Sequence, residues 1–135
     1  FALAQVETEY GDVKDVIGKI ENAVLLSPND VGLLFQLGFL YYRNGNYQGT
    51  IDAMSRAVSI NNDYSNARYF LGLALDRLGR SNEALAQFRE IAKFNPDNRE
   101  VKTIIANLEA GNSALYEAPA PAPEKRKEAP IKETN

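Results

Sequence analysis

Apolar and polar residues alternate along residues 1 to about 111 with the period of a helix rather than that of a strand. Within Val31–Arg43, the residues Leu34, Leu37, Gly38 and Tyr41 fall at i, i+3, i+4 and i+7, along one face of a helix. Ile51, Met54, Ala57, Val58 and Ile60 mark a second such face. Gly45 separates the two, and glycine just past a helix end accepts the left-handed conformation that closes it. A connection of about four residues makes the two helices antiparallel neighbours. The stretch therefore predicts a helical hairpin.

The hairpin pattern recurs every 34 residues: Leu3, Leu37, Leu71 and Ile105 share this spacing. The small residues Ala4, Gly38, Gly72 and Ala106 follow them, and Gly11, Gly45 and Gly79 mark a turn in each unit. Ile20, Met54 and Phe88 align, as do Leu26, Ile60 and Phe94. One hairpin cannot bury both of its apolar sides, so the units must stack and share a core. Gly38 and Gly72 each cost about 1 kcal/mol against alanine inside a helix, a cost that close helix approach offsets. The units fall at 1–30, 31–64 and 65–98, the first lacking its opening residues. Residues 99–111 read as a capping helix. Asp97 and Glu100 have the spacing of a capping box. Val101, Ile104, Ile105 and Leu108 form the helix's single apolar stripe, and Gly111 stops it. Nothing comparable guards the other end, so further repeats upstream, or a contact that covers Leu3 and Val6, are expected.

The period, the hairpin unit and the residue pattern resemble the tetratricopeptide repeat family. The middle unit matches best, through Leu34, Leu37, Gly38, Tyr41, Gly45, Tyr47, Ile51 and Ala57. The third carries Leu71, Gly72, Gly79, Ala84, Phe88 and Pro96, and the first Leu3, Ala4, Gly11, Ala23 and Pro28. Arg68 stands at a usual Trp position, Thr50 at a usual Ala, Asn62 at a usual Pro, Glu7 at a usual Tyr and Ile91 at a usual Ala. The resemblance implies an all-α fold, a right-handed α-solenoid of about three units plus the capping helix.

It also implies a concave groove, lined by the first helix of each hairpin, that binds a protein or peptide partner. The groove positions carried over are Phe1, Gln5, Thr8 and Glu9 in the first unit. They are Phe35, Phe39, Tyr42 and Arg43 in the second, and Asn66, Tyr69, Leu73, Asp76 and Arg77 in the third. Phe35, Phe39, Tyr42 and Tyr69 would give the groove an aromatic surface; the alternative is that these rings pack against neighbouring repeats or the tail. Arg43 and Arg77, in register, serve either as rim cations for an acidic peptide or as complements to helix dipoles, the second being favoured. Some members grip a C-terminal carboxylate with lysines; Phe1, Gln5, Gln36, Asn66 and Phe70 occupy those places here, which excludes that clamp.

Composition removes most chemistry. The chain of 135 residues has no His, Cys or Trp. A His-dependent triad, disulfides, thiolate metal sites and ordinary structural zinc are thereby excluded. A net charge of -3 disfavours a nucleic-acid binder. No apolar run approaches the roughly 20 residues that span a membrane. Gly45-Asn46-Tyr47-Gln48-Gly49 lacks the ending of a phosphate loop, and the Asn/Asp clusters at 61–63 and 95–98 suit inter-repeat turns rather than calcium loops. No cofactor or metal is expected, and no enzyme activity. From Asn112 onward an Ala-Pro run and cancelling charges predict a disordered tail over 112–135, with Leu115-Tyr116 the one apolar pair able to dock. A start at Phe1 without a basic leader suggests a piece of a longer protein. The expected function is a non-catalytic interaction scaffold. The alternatives are a self-association unit, or a regulatory appendage of a larger enzyme, a membrane enzyme included, whose catalytic part lies upstream.

Overall fold

The computed structural model describes residues 2–119, with side chains from residue 12 onward. Its elements are helices: α1 (Ala2–Leu26), α2 (Val31–Arg43), α3 (Tyr47–Ile60), α4 (Ser65–Arg77), α5 (Ser81–Phe94) and α6 (Arg99–Glu109). No strand occurs among the described residues. The hairpin α2–α3 lies within residues 31–64 and the hairpin α4–α5 within residues 65–98.

Each hairpin turn has the same construction. Gly45 and Gly79 adopt φ of 81° and 78°. The amide of Gly45 donates to the Tyr42 carbonyl at 3.1 Å, and that of Asn46 to Tyr41 at 2.8 Å. Gly79 and Arg80 repeat the pair with Asp76 and Leu75, both at 2.9 Å. These are the two bonds that satisfy the last carbonyls of a helix ending in a left-handed residue. Starts are capped less uniformly. Asp30 caps α2, Asn46 caps α3 and Asn98 caps α6, each accepting from an amide three residues on. The α6 start therefore differs from the expected Asp97–Glu100 box: the cap is Asn98, one residue later, whose side chain takes the Val101 amide at 3.1 Å.

The first unit departs further. α1 runs unbroken from Ala2 to Leu26, through Gly11, where a turn was expected. A glycine alone costs a helix only about 1 kcal/mol and does not end it. In the other units a returning helix fills the space beside Gly38 or Gly72. In α1 the apolar face bearing Ile17 and Val24 is buried in the shared core, and α1 packs on α2. The described array is thus one long helix, two hairpins and a cap, not three hairpins and a cap.

The core follows the repeat. Met54 and Phe88 are fully buried and sit under Gly38 and Gly72. Ala57 and Ala84 are equally buried on the second helices. Thr50, where the family usually has Ala, is buried, and its hydroxyl donates to the Gly38 carbonyl at 3.0 Å. Arg68, in the usual Trp place, is only 6% exposed. Its guanidinium donates to the Asn62 carbonyl at 3.1 and 3.0 Å, to Asn62 Oδ1 at 2.6 Å and to Gln87 Oε1 at 2.9 Å. Two departures from the family pattern, Arg68 and Asn62, are therefore partners.

Consecutive helices pack in chain order, and α2 also meets α4, whereas among the described residues α1, α3 and α5 do not meet one another. The array accordingly bends with α2 and α4 on its inner side. After α6 the chain does not leave at once. Ala114 is fully buried, while Leu115 and Tyr116, the apolar pair able to dock, stay 55% and 43% exposed. A methyl group fits the available slot where the larger side chains do not. The rest of the expected tail, from residue 120, lies outside the described residues.

Candidate protein-binding face

The inner side carries one connected aromatic cluster, and Phe70 is its hub. Phe70 meets Phe35 at 5.9 Å, Phe39 at 5.2 Å, Tyr42 at 5.7 Å and Tyr69 at 5.3 Å between ring centroids, all edge-on. Phe35 stacks on Phe39 and on Tyr64. Edge-to-face pairs at such distances are favourable beyond the area they bury. Helical spacing explains the assembly: Phe35, Phe39 and Tyr42 line one face of α2, and Phe70 projects from α4 into the gap beside them. All six rings are half-buried, so they both join the repeats and keep part of their area at the surface.

Packing against a neighbouring repeat, one of the two readings of these rings, is what the geometry shows. Phe35, Phe39, Tyr42 and Tyr69 come together as carried over by resemblance. Phe70, considered only as a clamp position, joins them; its signal was a ring at the repeat position of Gln36, facing Phe35 and Phe39. Tyr64 and Tyr47 extend the cluster. Leu73 is a correction: it is 5% exposed and belongs to the core, its side chain covered by the apolar residues packed between the helices. Phe1, Gln5, Thr8 and Glu9 lie outside the residues whose side chains are described.

Polar groups frame the rings. Arg43 and Arg77 are exposed in the last turns of α2 and α4, where a cation suits the helix dipole. Each also lies over an aromatic face, Arg43 over Phe39 at 5.9 Å and Arg77 over Tyr47 at 5.0 Å. The Tyr69 hydroxyl donates to Glu100 Oε2 on α6 at 2.8 Å. Burial, then the Glu100 bond, hold that phenol protonated well above its usual range. Burial also raises Tyr42, with Arg77 opposing. Asn66 is exposed at the mouth of a cleft of about 310 Å³ that Tyr69, Phe70 and Glu100 also line.

The titratable groups of this face are Tyr42 and Tyr69, both raised, the carboxylates Asp76 and Glu100, and the rim cations Arg43 and Arg77. Among the described residues no group of three or more acidic side chains could hold a metal ion, and no helix is long and apolar enough to cross a membrane.

Comparison with known proteins agrees with the geometry. The tetratricopeptide repeat profile matches residues 41–108, just over half of the chain. Protein bimA of Emericella nidulans is 34% identical over 61 residues, 45% of this chain and 8% of that protein. The crystal structure of MamA protein superposes with a TM-score of 0.70 at 24% identity, over 82% of this chain and 60% of that one. The first TPR of Spaghetti (RPAP3), bound to HSP90 peptide SRMEEVD, gives 0.70 at 18% identity, over 79% of this chain and 85% of that one. This chain thus spans less than two thirds of bimA and of MamA. With the profile match running over half of the chain, from the last turn of α2 into α6, and with the shared turn construction, the chain belongs to the tetratricopeptide repeat family.

Proposed function

We propose that this chain is a non-catalytic scaffold that binds a segment of a partner protein along the face formed by α2, α4 and α6. The family's fold is typical of protein–protein interaction scaffolds, and a solved neighbour holds a peptide. The observation that carries the reading is the half-buried aromatic cluster centred on Phe70. Aromatic rings of this kind supply large contact area at low cost in side-chain freedom, and they dominate interface energetics. Arg43, Asn66 and Arg77 around it supply exposed donors for the partner's carbonyls or carboxylates.

The test is selection of binding peptides from a random library against the wild-type chain. Binding is then remeasured with Arg43→Glu, Asn66→Ala and Arg77→Glu combined. These side chains are exposed, and circular dichroism with urea unfolding of the variant checks that it keeps the fold. A loss of about tenfold or more, some 1.4 kcal/mol, is expected. Ser55→Arg, on the outer helix α3, should change nothing. Equal loss from both variants would refute the assignment of the face.

A second reading, self-association, rests on the end of α1. Leu25 and Leu26 are 78% and 87% exposed there, an apolar pair that a further repeat or a second copy would cover. Sedimentation across a concentration series tests it: a strict monomer at all concentrations removes this reading.

A further inference from the structure

The segment after α6 doubles back onto the inner face. Gly111, at φ 84°, closes α6 as Gly45 and Gly79 close α2 and α4. Its amide donates to Leu108 at 3.0 Å and that of Asn112 to the Asn107 carbonyl at 2.9 Å. In the hairpins a second helix follows. Here the chain makes a turn instead, closed by the Tyr116 amide on the Ser113 carbonyl at 3.1 Å.

Two side chains hold this turn from opposite sides. Asp76 Oδ2, on α4, accepts the Ala114 amide at 3.0 Å. Asn107 Nδ2, on α6, donates to the Ala114 carbonyl at 2.9 Å and to the Tyr116 carbonyl at 3.0 Å. Ala114 lies fully buried between them. Leu115 borders a small cleft with Tyr42, Leu73 and Arg77, on the face assigned to the partner. Every bond is to main chain, and the slot takes a methyl group. The recognition therefore demands a small residue in a turn and reads little else by hydrogen bonding.

We propose that Asp76 and Asn107 form a main-chain clamp, that Ser113–Tyr116 is its resident occupant, and that a partner segment of like chemistry displaces it. Such a segment is a turn with alanine ahead of a leucine and an aromatic residue. The displacement rests on the inner-face reading above; the occupancy does not. A tethered occupant acts at millimolar effective concentration, so it raises the affinity a partner needs before it can bind.

Two measurements on the full chain test this. First, amide exchange by NMR: the Ala114 amide should exchange about tenfold or more slower than in the free peptide Asn112–Pro119. Asp76→Ala should abolish the protection, whereas Asp76→Asn, which keeps an acceptor oxygen, should retain most of it. An unprotected Ala114 amide in the folded wild type overturns the occupancy. Second, the fluorescently labelled peptide Asn112–Pro119 is titrated into wild type and into Ala114→Glu, which evicts the resident turn. Binding to the variant should be about tenfold tighter, and Asp76→Ala added to it should remove the gain. Equal affinity for both chains, or no binding to either, overturns displacement. The exchange arm needs no partner and stands even where Ala114→Glu lowers stability. Its failure leaves the scaffold reading intact, while failure of the rim-charge variants alone leaves the clamp intact.

Discussion

Gly72→Ala and Gly38→Ala are the same substitution at equivalent positions of two repeats, yet their neighbours differ. A methyl group on Gly72 would lie 2.6 Å from Phe88 Cε2, 2.8 Å from Cζ and 3.1 Å from Cδ2. Carbon atoms rest at about 3.5–4.0 Å, so the ring must move by close to 1 Å. Phe88 is fully buried, and Tyr69 holds it edge-on at 5.9 Å. Overpacking of this kind costs about 1–3 kcal/mol, against a gain of about 1 kcal/mol in helix propensity. The net expectation is a loss of up to about 2 kcal/mol. At Gly38 the methyl would meet Met54, at 2.8 Å from Cε and 3.0 Å from Cγ and Sδ. An unbranched thioether reorients more cheaply, and Gly38→Ala should fall within about 0.5 kcal/mol of wild type. Gly38→Leu exceeds what Met54 can yield and should cost about 1–3 kcal/mol or more. Urea unfolding followed by circular dichroism measures all three. Adding Phe88→Leu to Gly72→Ala should cost less than Phe88→Leu alone, a coupling of about 1 kcal/mol. A Gly72→Ala chain as stable as Gly38→Ala would refute the packing argument.

Arg68→Ala removes four donor contacts and a buried stem, and should destabilise by about 2–4 kcal/mol. Asn62→Ala loses only the Oδ1 bond and should cost about 1 kcal/mol; a double-mutant cycle showing no coupling would contradict the pairing. Tyr41 donates to Glu21, and burial with that bond raises its pKa from 10.0 to about 12. The unfolded chain ionises first, so this contribution is intact below pH 10 and is lost as pH rises through about 12. The fall in urea midpoint over that window should be shallower in Tyr41→Phe; an identical slope would refute the assignment. Asn98→Ala should cost about 1 kcal/mol and Asp97→Ala much less, measured the same way; the reverse order would restore the capping box.

The repeat was legible because 34-residue spacing, glycine stops and apolar stripes all describe the same unit. Gly45 and Gly79 announce their turns, and Leu34, Leu37, Leu71 and Phe88 announce the core. Gly11 carries the same local signal and no turn, because a turn also needs a returning helix to bury its face, and composition does not encode that. Asn98 and Asp97 are both competent caps one residue apart, so their choice waits on backbone geometry. On the candidate face the rings of α2 were visible as a spaced set. Phe70 was not, since its place depends on how α4 leans against α2. Leu73 looked like a surface position for the same reason. Ala114 gave no signal at all: a single methyl in a polar segment becomes significant only when Asp76 and Asn107 converge on its main chain.

The decisive measurement maps a library-selected peptide onto the folded chain by amide chemical-shift perturbation. Shifts concentrated on Phe35, Phe39, Tyr42, Tyr69 and Phe70, with the facing surface of α6, are predicted. Shifts confined to the outer helices α3 and α5, with those residues unmoved, would contradict it.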